Sequence, residues 1–118
     1  MLVGFAALVA LGTGCSQSCP TVVYPAVQAE VHDSVTNAPA AEGARGAIER
    51  AGTFVDSLRV QGSTTMIGWG NAPATYRVTV VKAGYRDWVR DGVLVTRSGG
   101  VCPAVNTVVL QVRLAPLP

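Results

Sequence analysis

A lone histidine, His32, stands directly before Asp33 in a chain of 118 residues, and a histidine beside a carboxylate first raises acid–base or nucleophilic catalysis. Adjacent side chains on an extended strand point to opposite faces, so these two do not make one catalytic pair. His32 would need an acid from another strand, Asp56, Asp87 or Asp91, and a nucleophile among Ser34, Ser57, Ser63 and Ser98. Such chemistry requires the hydrogen-bonded geometry, not the residue types alone, and no G-x-S-x-G elbow occurs. The residues therefore predict a surface or edge-strand histidine, no catalytic residue and no enzyme. Asp87 and Asp91 lie on either side of Trp88, and Asp33 could approach them from another strand end. Without a D-x-D-x-D-G loop, solvated carboxylates are expected rather than a calcium site. Two distant cysteines, Cys19 and Cys102, and one histidine give no closed metal-ligand set. Ser98, Gly99 and Gly100 are too short a run for a phosphate loop, so neither metal nor cofactor is expected.

Aromatic side chains offer a different chemistry. Trp69, Tyr85 and Trp88 would suit a platform for a sugar ring or a partner protein, with Arg86 and Arg90 at its rim. The alternative for each ring, and for Tyr85 above all, is packing in the core. Nine Lys and Arg oppose seven Asp and Glu, a formal charge of +2. Arg77, Arg86, Arg90, Arg97 and Arg113 form no dense run, which argues against a nucleic-acid surface.

Strands must position these groups. Val, Thr and Ile make up 32 of the 118 residues, Gly and Pro another 20, and Leu only 8, a composition of short strands and turns. A first strand is predicted over Val23 to Asp33, with Val27, Ala29 and Val31 inward and Gln28, Glu30 and His32 outward. A weak strand follows at Arg45 to Arg50, then a clearer one at Thr53 to Val60 with Phe54, Leu58 and Val60 on one parity. Asp56 shares that parity and requires a bulge or an edge, since an unpaired carboxylate in a core is costly. Thr64 to Trp69 is a further short candidate. TYRVTVVKAGY carries the strongest alternation, with Tyr76, Val78 and Val80 on one face, and extended runs resume at Tyr85 to Arg90 and at Val93 to Thr96. The last strand, VNTVVLQVRL, sets Val108, Leu110, Val112 and Leu114 in one inward row, and APLP stops it. About seven strands in this length imply a β-sandwich, because a single sheet would leave an apolar face uncovered.

The segments NAPAAEGARGAIE and APATYRVTVVKAGY, with the closing CPAVNTVVLQVRL, resemble the carboxypeptidase regulatory-like, or transthyretin-like, domains. Those domains carry a G-x-P turn, then G-A-x-V, and later G-x-Y-x-V-x-V-x-A-x-G-Y. Pro39, Ala47, Ile48, Tyr76, Val78, Val80, Gly84 and Tyr85 stand at matching positions, with Asn37 and Ala74 where glycine is common. The resemblance covers most of residues 22 to 114. It implies an all-β, seven-stranded, Greek-key-like sandwich of the prealbumin type, and a noncatalytic accessory or cell-surface module. The matching tyrosines and glycines would serve architecture rather than chemistry.

Met1 to Gly14 is uncharged and ends in small residues, and the first charged residue is Glu30. The run is too short for a bilayer-spanning helix, which needs ~20 apolar residues. Its end, LGTGC, resembles the lipobox of bacterial lipoproteins, with Leu11 one place further from the cysteine than is usual. The resemblance implies a signal segment over 1–14 and lipidation of Cys15 by diacylglycerol and, on the new amino group, a further palmitate-type acyl chain. Several chains matter because one gives only reversible attachment. Residues 15–21 would be a tether and 22–118 the domain. Under the same resemblance Ser16 implies the outer membrane, facing the periplasm or the exterior. An ordinary secretory peptide cleaved near Gly14, giving a secreted or periplasmic product, is the alternative, as is a buried apolar segment. With Cys15 lipidated, Cys19 and Cys102 remain as an even pair in an oxidising compartment, and a disulfide is expected. The predicted role is a lipid-anchored structural or protein-interaction module of the cell envelope. The alternative is binding of a glycan or other envelope ligand by Trp69, Trp88, Arg86 and Arg90. The partners are then the membrane, through the anchor, and an envelope protein or glycan, with no nucleic acid.

Overall fold

The computed structural model describes Cys19 and residues 23–118. Eight strands follow one another: β1 (Val27–Asp33), β2 (Arg45–Arg50), β3 (Thr53–Gln61), β4 (Thr65–Gly68), β5 (Ala74–Val81), β6 (Trp88–Arg97), β7 (Val105–Asn106) and β8 (Val108–Leu114). Their lateral order is β7-β6-β5-β2-β3-β4-β1-β8. β3 makes the corner. Its residues Thr53 to Leu58 pair with β2, whereas Arg59 to Gln61 pair with β4, so one strand belongs to both layers of the sandwich. β1 and β8 run parallel and the other pairs antiparallel. At the far edges, the Arg86 N–H donates to the Ala115 carbonyl at 2.8 Å and the Leu117 N–H to that of Gly84 at 2.9 Å, bringing the sheet close to a closed barrel.

Alternation in the sequence becomes one core. Val27, Ala29 and Val31 of β1, Ile48 of β2, Tyr76, Val78 and Val80 of β5, and Leu110, Val112 and Leu114 of β8 are all buried together. Successive strand residues face opposite sides, so each row commits its whole strand to one register.

Two bulges break the period and correct the sequence expectations. Ile48 lies opposite Asp56 but Glu49 lies opposite Phe54, leaving Val55 as the extra residue of β3. The bulge turns Phe54 outward, onto the face of Glu49, and it is exposed instead of buried. Val60 is exposed too, because the part of β3 that has crossed over is the edge of the second layer. On β6, Arg90 lies opposite Val78 and Val93 opposite Tyr76, so Asp91 and Gly92 together face Arg77 alone. Trp88 and Arg90 thus share the inward parity before the bulge, and Val93 and Val95 take it over after. The two extended runs predicted at Tyr85 to Arg90 and Val93 to Thr96 are one strand for that reason, and Tyr85 lies outside it. The first strand begins at Val27, not Val23, and the last is interrupted at Thr107. Thr107 turns its hydroxyl to the Pro25 carbonyl at 2.7 Å.

The β2–β3 hairpin closes on Ala51 and Gly52, both with positive φ, 52° and 81°. This is the two-residue geometry that favours Asn-Gly, and alanine is a poor occupant of the left-handed region. Ala51→Asn is expected to raise stability by about 0.5–1 kcal/mol. An unchanged or lower urea midpoint would contradict that assignment.

Candidate functional site

Where β1 ends, the chain turns sharply, and the DSVT run has the composition of a side-chain-capped turn. Asp33 is the one buried charged residue among the described residues, 8% exposed. Its Oδ1 accepts the N–H groups of Val35 at 2.7 Å and Thr36 at 2.9 Å, and its Oδ2 accepts the Tyr85 hydroxyl at 2.8 Å. Tyr85 belongs to the loop between β5 and β6, so this clasp joins the two layers at one end. Lys82 reinforces it, donating to the Ala40 carbonyl at 3.1 Å with its ammonium 5.7 Å from the centre of the Tyr85 ring.

The Thr36 N–H foremost, then the Tyr85 hydroxyl and the Val35 N–H, hold the Asp33 carboxyl below its ordinary value of 3.8. Burial opposes them and is outweighed. The hydrogen bond to Asp33, with burial, raises the Tyr85 phenol above its ordinary 10.0. A depressed carboxyl stabilises the fold above its unfolded value, and that contribution is lost as pH falls through the folded one. A raised phenol contributes below pH 10.0 and is lost as pH climbs through its folded value. Asp33→Asn is therefore expected to melt below the wild type at pH 6, with the gap narrowing as pH drops below 3.8. Thermal melts across that range check it; a gap constant with pH would remove the carboxylate from the account.

Trp88 opens β6 opposite Val80, and Arg90 stands opposite Val78, so both project to the side of the core valines. Trp88 is half-buried against that core, and the Arg90 guanidinium lies 5.0 Å from the centre of its ring. A cation over an indole in such a setting is worth about 0.5–1 kcal/mol. Arg86 is exposed nearby in the chain. Trp69 does not join them. Its neighbours Gly68 and Gly70 both face Ile48 of β2, and β5 stands between β2 and β6. The predicted four-residue platform is thus divided, with Trp88, Arg86 and Arg90 at the start of β6 and Trp69 just after β4 in the other layer.

The remaining acids are used singly. The Asp56 carboxylate accepts the Trp69 backbone N–H at 2.8 Å and the two terminal guanidinium nitrogens of Arg59, at 3.0 and 3.2 Å. Burial pushes its carboxyl up, but those donors outweigh it and leave it lowered overall. Asp91 lies 3.6 Å from Arg77. His32 faces outward on β1 in register with Arg113, and among the described residues its ring hydrogen-bonds neither a serine nor a carboxylate. Ser98 instead exchanges hydrogen bonds with Ala104.

The opposite end carries the disulfide. Cys19 and Cys102 are bonded, with Cα atoms 5.3 Å apart at a sequence separation of 83. The bond fastens the start of the described chain to the loop after β6, beside a cleft of about 290 Å³ lined by Val23, Tyr24, Asn71, Arg97 and Val105. Cys15, the 1–14 segment and most of the 15–21 tether lie outside the described residues. Sequence reasoning missed the Asp33–Tyr85 clasp, although an aspartate followed at the third position by threonine is a legible turn signal. It had no signal for the cleft, which joins three distant segments. No protein-family model matches the chain, and no curated protein matches it in sequence.

Proposed function

We propose that this chain is a noncatalytic module of a bacterial cell envelope, lipid-anchored through Cys15 and serving a structural or protein-interaction role. The observation that carries this reading is the Cys19–Cys102 disulfide, which takes up two of the three cysteines and leaves the one in LGTGC. A structural disulfide belongs to an oxidising compartment. The fold is read more finely as a transthyretin-like, Greek-key sandwich: with the two-residue β7 counted as an edge fragment, seven full strands remain. Asn37 supports it, having a φ of 62° where the related domains carry glycine. Intact-mass measurement of the chain from a bacterial host tests the anchor. The expected product starts at Cys15 and carries diacylglycerol and a further acyl chain. An unlipidated mature chain would replace this reading by a secreted or periplasmic one.

Arg90 over Trp88, with Arg86 exposed beside them, favours a second reading, binding of a glycan or other envelope ligand at that end without Trp69. In a Trp69→Phe chain Trp88 is the only indole. A glycan panel that leaves its emission unmoved would dismiss the site.

A further inference from the structure

The disulfide decides which end of the sandwich meets the membrane, and that end has the surface to do so. This inference rests on the lipid anchor at Cys15. Cys19 lies four residue steps after Cys15, a span of at most ~14 Å when fully extended. Cys19 is bonded to Cys102 in the loop after β6, so the Arg97 end of the domain is held within that reach of the acyl chains. On it Val23, Tyr24 and Val101 are 70%, 48% and 64% exposed, and Arg97 is exposed in the same cleft as Val23 and Tyr24. Neither contributing segment, 19–25 or 97–105, contains a carboxylate. Asp56, beside Trp69, is already paired with Arg59. Tyrosine prefers the headgroup level of a bilayer, and a basic side chain gains near lipid phosphate.

We propose that Val23, Tyr24, Arg97 and Val101 form a foot that rests on the phosphate-bearing surface of the bilayer, with the Asp33–Trp88 end held away from it. Two single-tryptophan chains report on it: Trp69→Phe keeps only Trp88, at the far end, and Val101→Trp combined with Trp69→Phe and Trp88→Phe puts the one indole on the foot. Each acylated full chain is placed in vesicles of phosphatidylethanolamine and phosphatidylglycerol carrying a headgroup nitroxide quencher. Emission from the foot is expected to be lost and Trp88 emission retained. Arg97→Ala is expected to lower the docked-to-free ratio read from the quenching about fivefold, the factor for one basic side chain at an anionic surface. Equal quenching, quenching of Trp88 alone, or quenching of neither in vesicle-bound protein overturns the foot and leaves the anchor standing. Failure to float with vesicles, together with an unlipidated mass, overturns both. Should a variant not fold, the unsubstituted chain labelled with 3-fluorotyrosine is mixed with gadolinium-headgroup lipid. Broadening of the Tyr24 resonance ahead of that of Tyr85, which lies at the Asp33 end, supports the foot; the reverse, equal broadening or none rejects it.

Discussion

Replacing Cys102 with serine is expected to lower the melting temperature by roughly 10–25 °C, at 4–8 °C per kcal/mol for a domain of this size. The size of the effect follows from where the bond lies. Cys19 and Cys102 are 83 residues apart, so the bond closes nearly the whole domain into one loop in the unfolded chain. The chain-entropy account assigns such a loop about 4.5 kcal/mol, and measured losses are more often about 2–4 kcal/mol. Wild type treated with reductant should melt with the variant, while reductant should leave the variant unmoved. Melting within about 2 °C of the oxidised wild type would show that the bond contributes little to this fold. The same substitution frees the start of the domain from the loop after β6. An anchored chain would then lose its fixed orientation, and Tyr24 its preferential broadening by headgroup gadolinium.

Tyr76→Ala is expected to cost about 3–5 kcal/mol, a large part of the stability of a single small domain. Tyr76 is the largest fully buried side chain among the described residues and ties β5 to the loop after β4. Its hydroxyl donates to the Asn71 carbonyl at 2.7 Å, and a side chain at Gly70 would meet that hydroxyl at 2.6 Å. Truncation removes the ring, opens a cavity against Ile48 and leaves the carbonyl without its donor. Tyr76→Phe keeps the ring and is expected to cost only about 1 kcal/mol, the usual net value of one hydrogen bond. Urea unfolding of the three proteins separates the two contributions. Similar losses for Phe and Ala would mean that the hydrogen bond, not the packing, dominates.

What was legible in the sequence was whatever obeys a period of two. Tyr76, Val78 and Val80, and Leu110, Val112 and Leu114, were read inward and are inward, because a strand buried on one face must alternate. The reading failed where a single inserted residue shifts the phase. Val55 reverses Phe54, and Asp91 with Gly92 hands the inward row from Trp88 and Arg90 to Val93 and Val95. No local composition announces which residue will be left over in a pairing, since that depends on the partner strand. Asp56 shows the intermediate case. Its charge at an inward position required a bulge or an edge; the bulge moves Phe54 and leaves Asp56 opposite Ile48, so the edge is what serves it, and its partners, Arg59 and the Trp69 backbone N–H, come from the corner geometry.

The candidate site divides along the same line. From residue types alone came the apolar run before Cys15, the β-rich chain, the lack of a local catalytic motif, and the pairing expected of Cys19 and Cys102 once Cys15 is set aside. These depend on composition and short-range spacing, which a linear reading captures. Only the tertiary structure decided that Trp69 and Trp88 lie in different layers, that Asp33 is fastened by Tyr85 across 52 residues, and that Tyr24, Arg97 and Val101 share the disulfide end. Each of those facts depends on which strands lie side by side. Strand order is settled by burial of the whole core, and no single segment carries it.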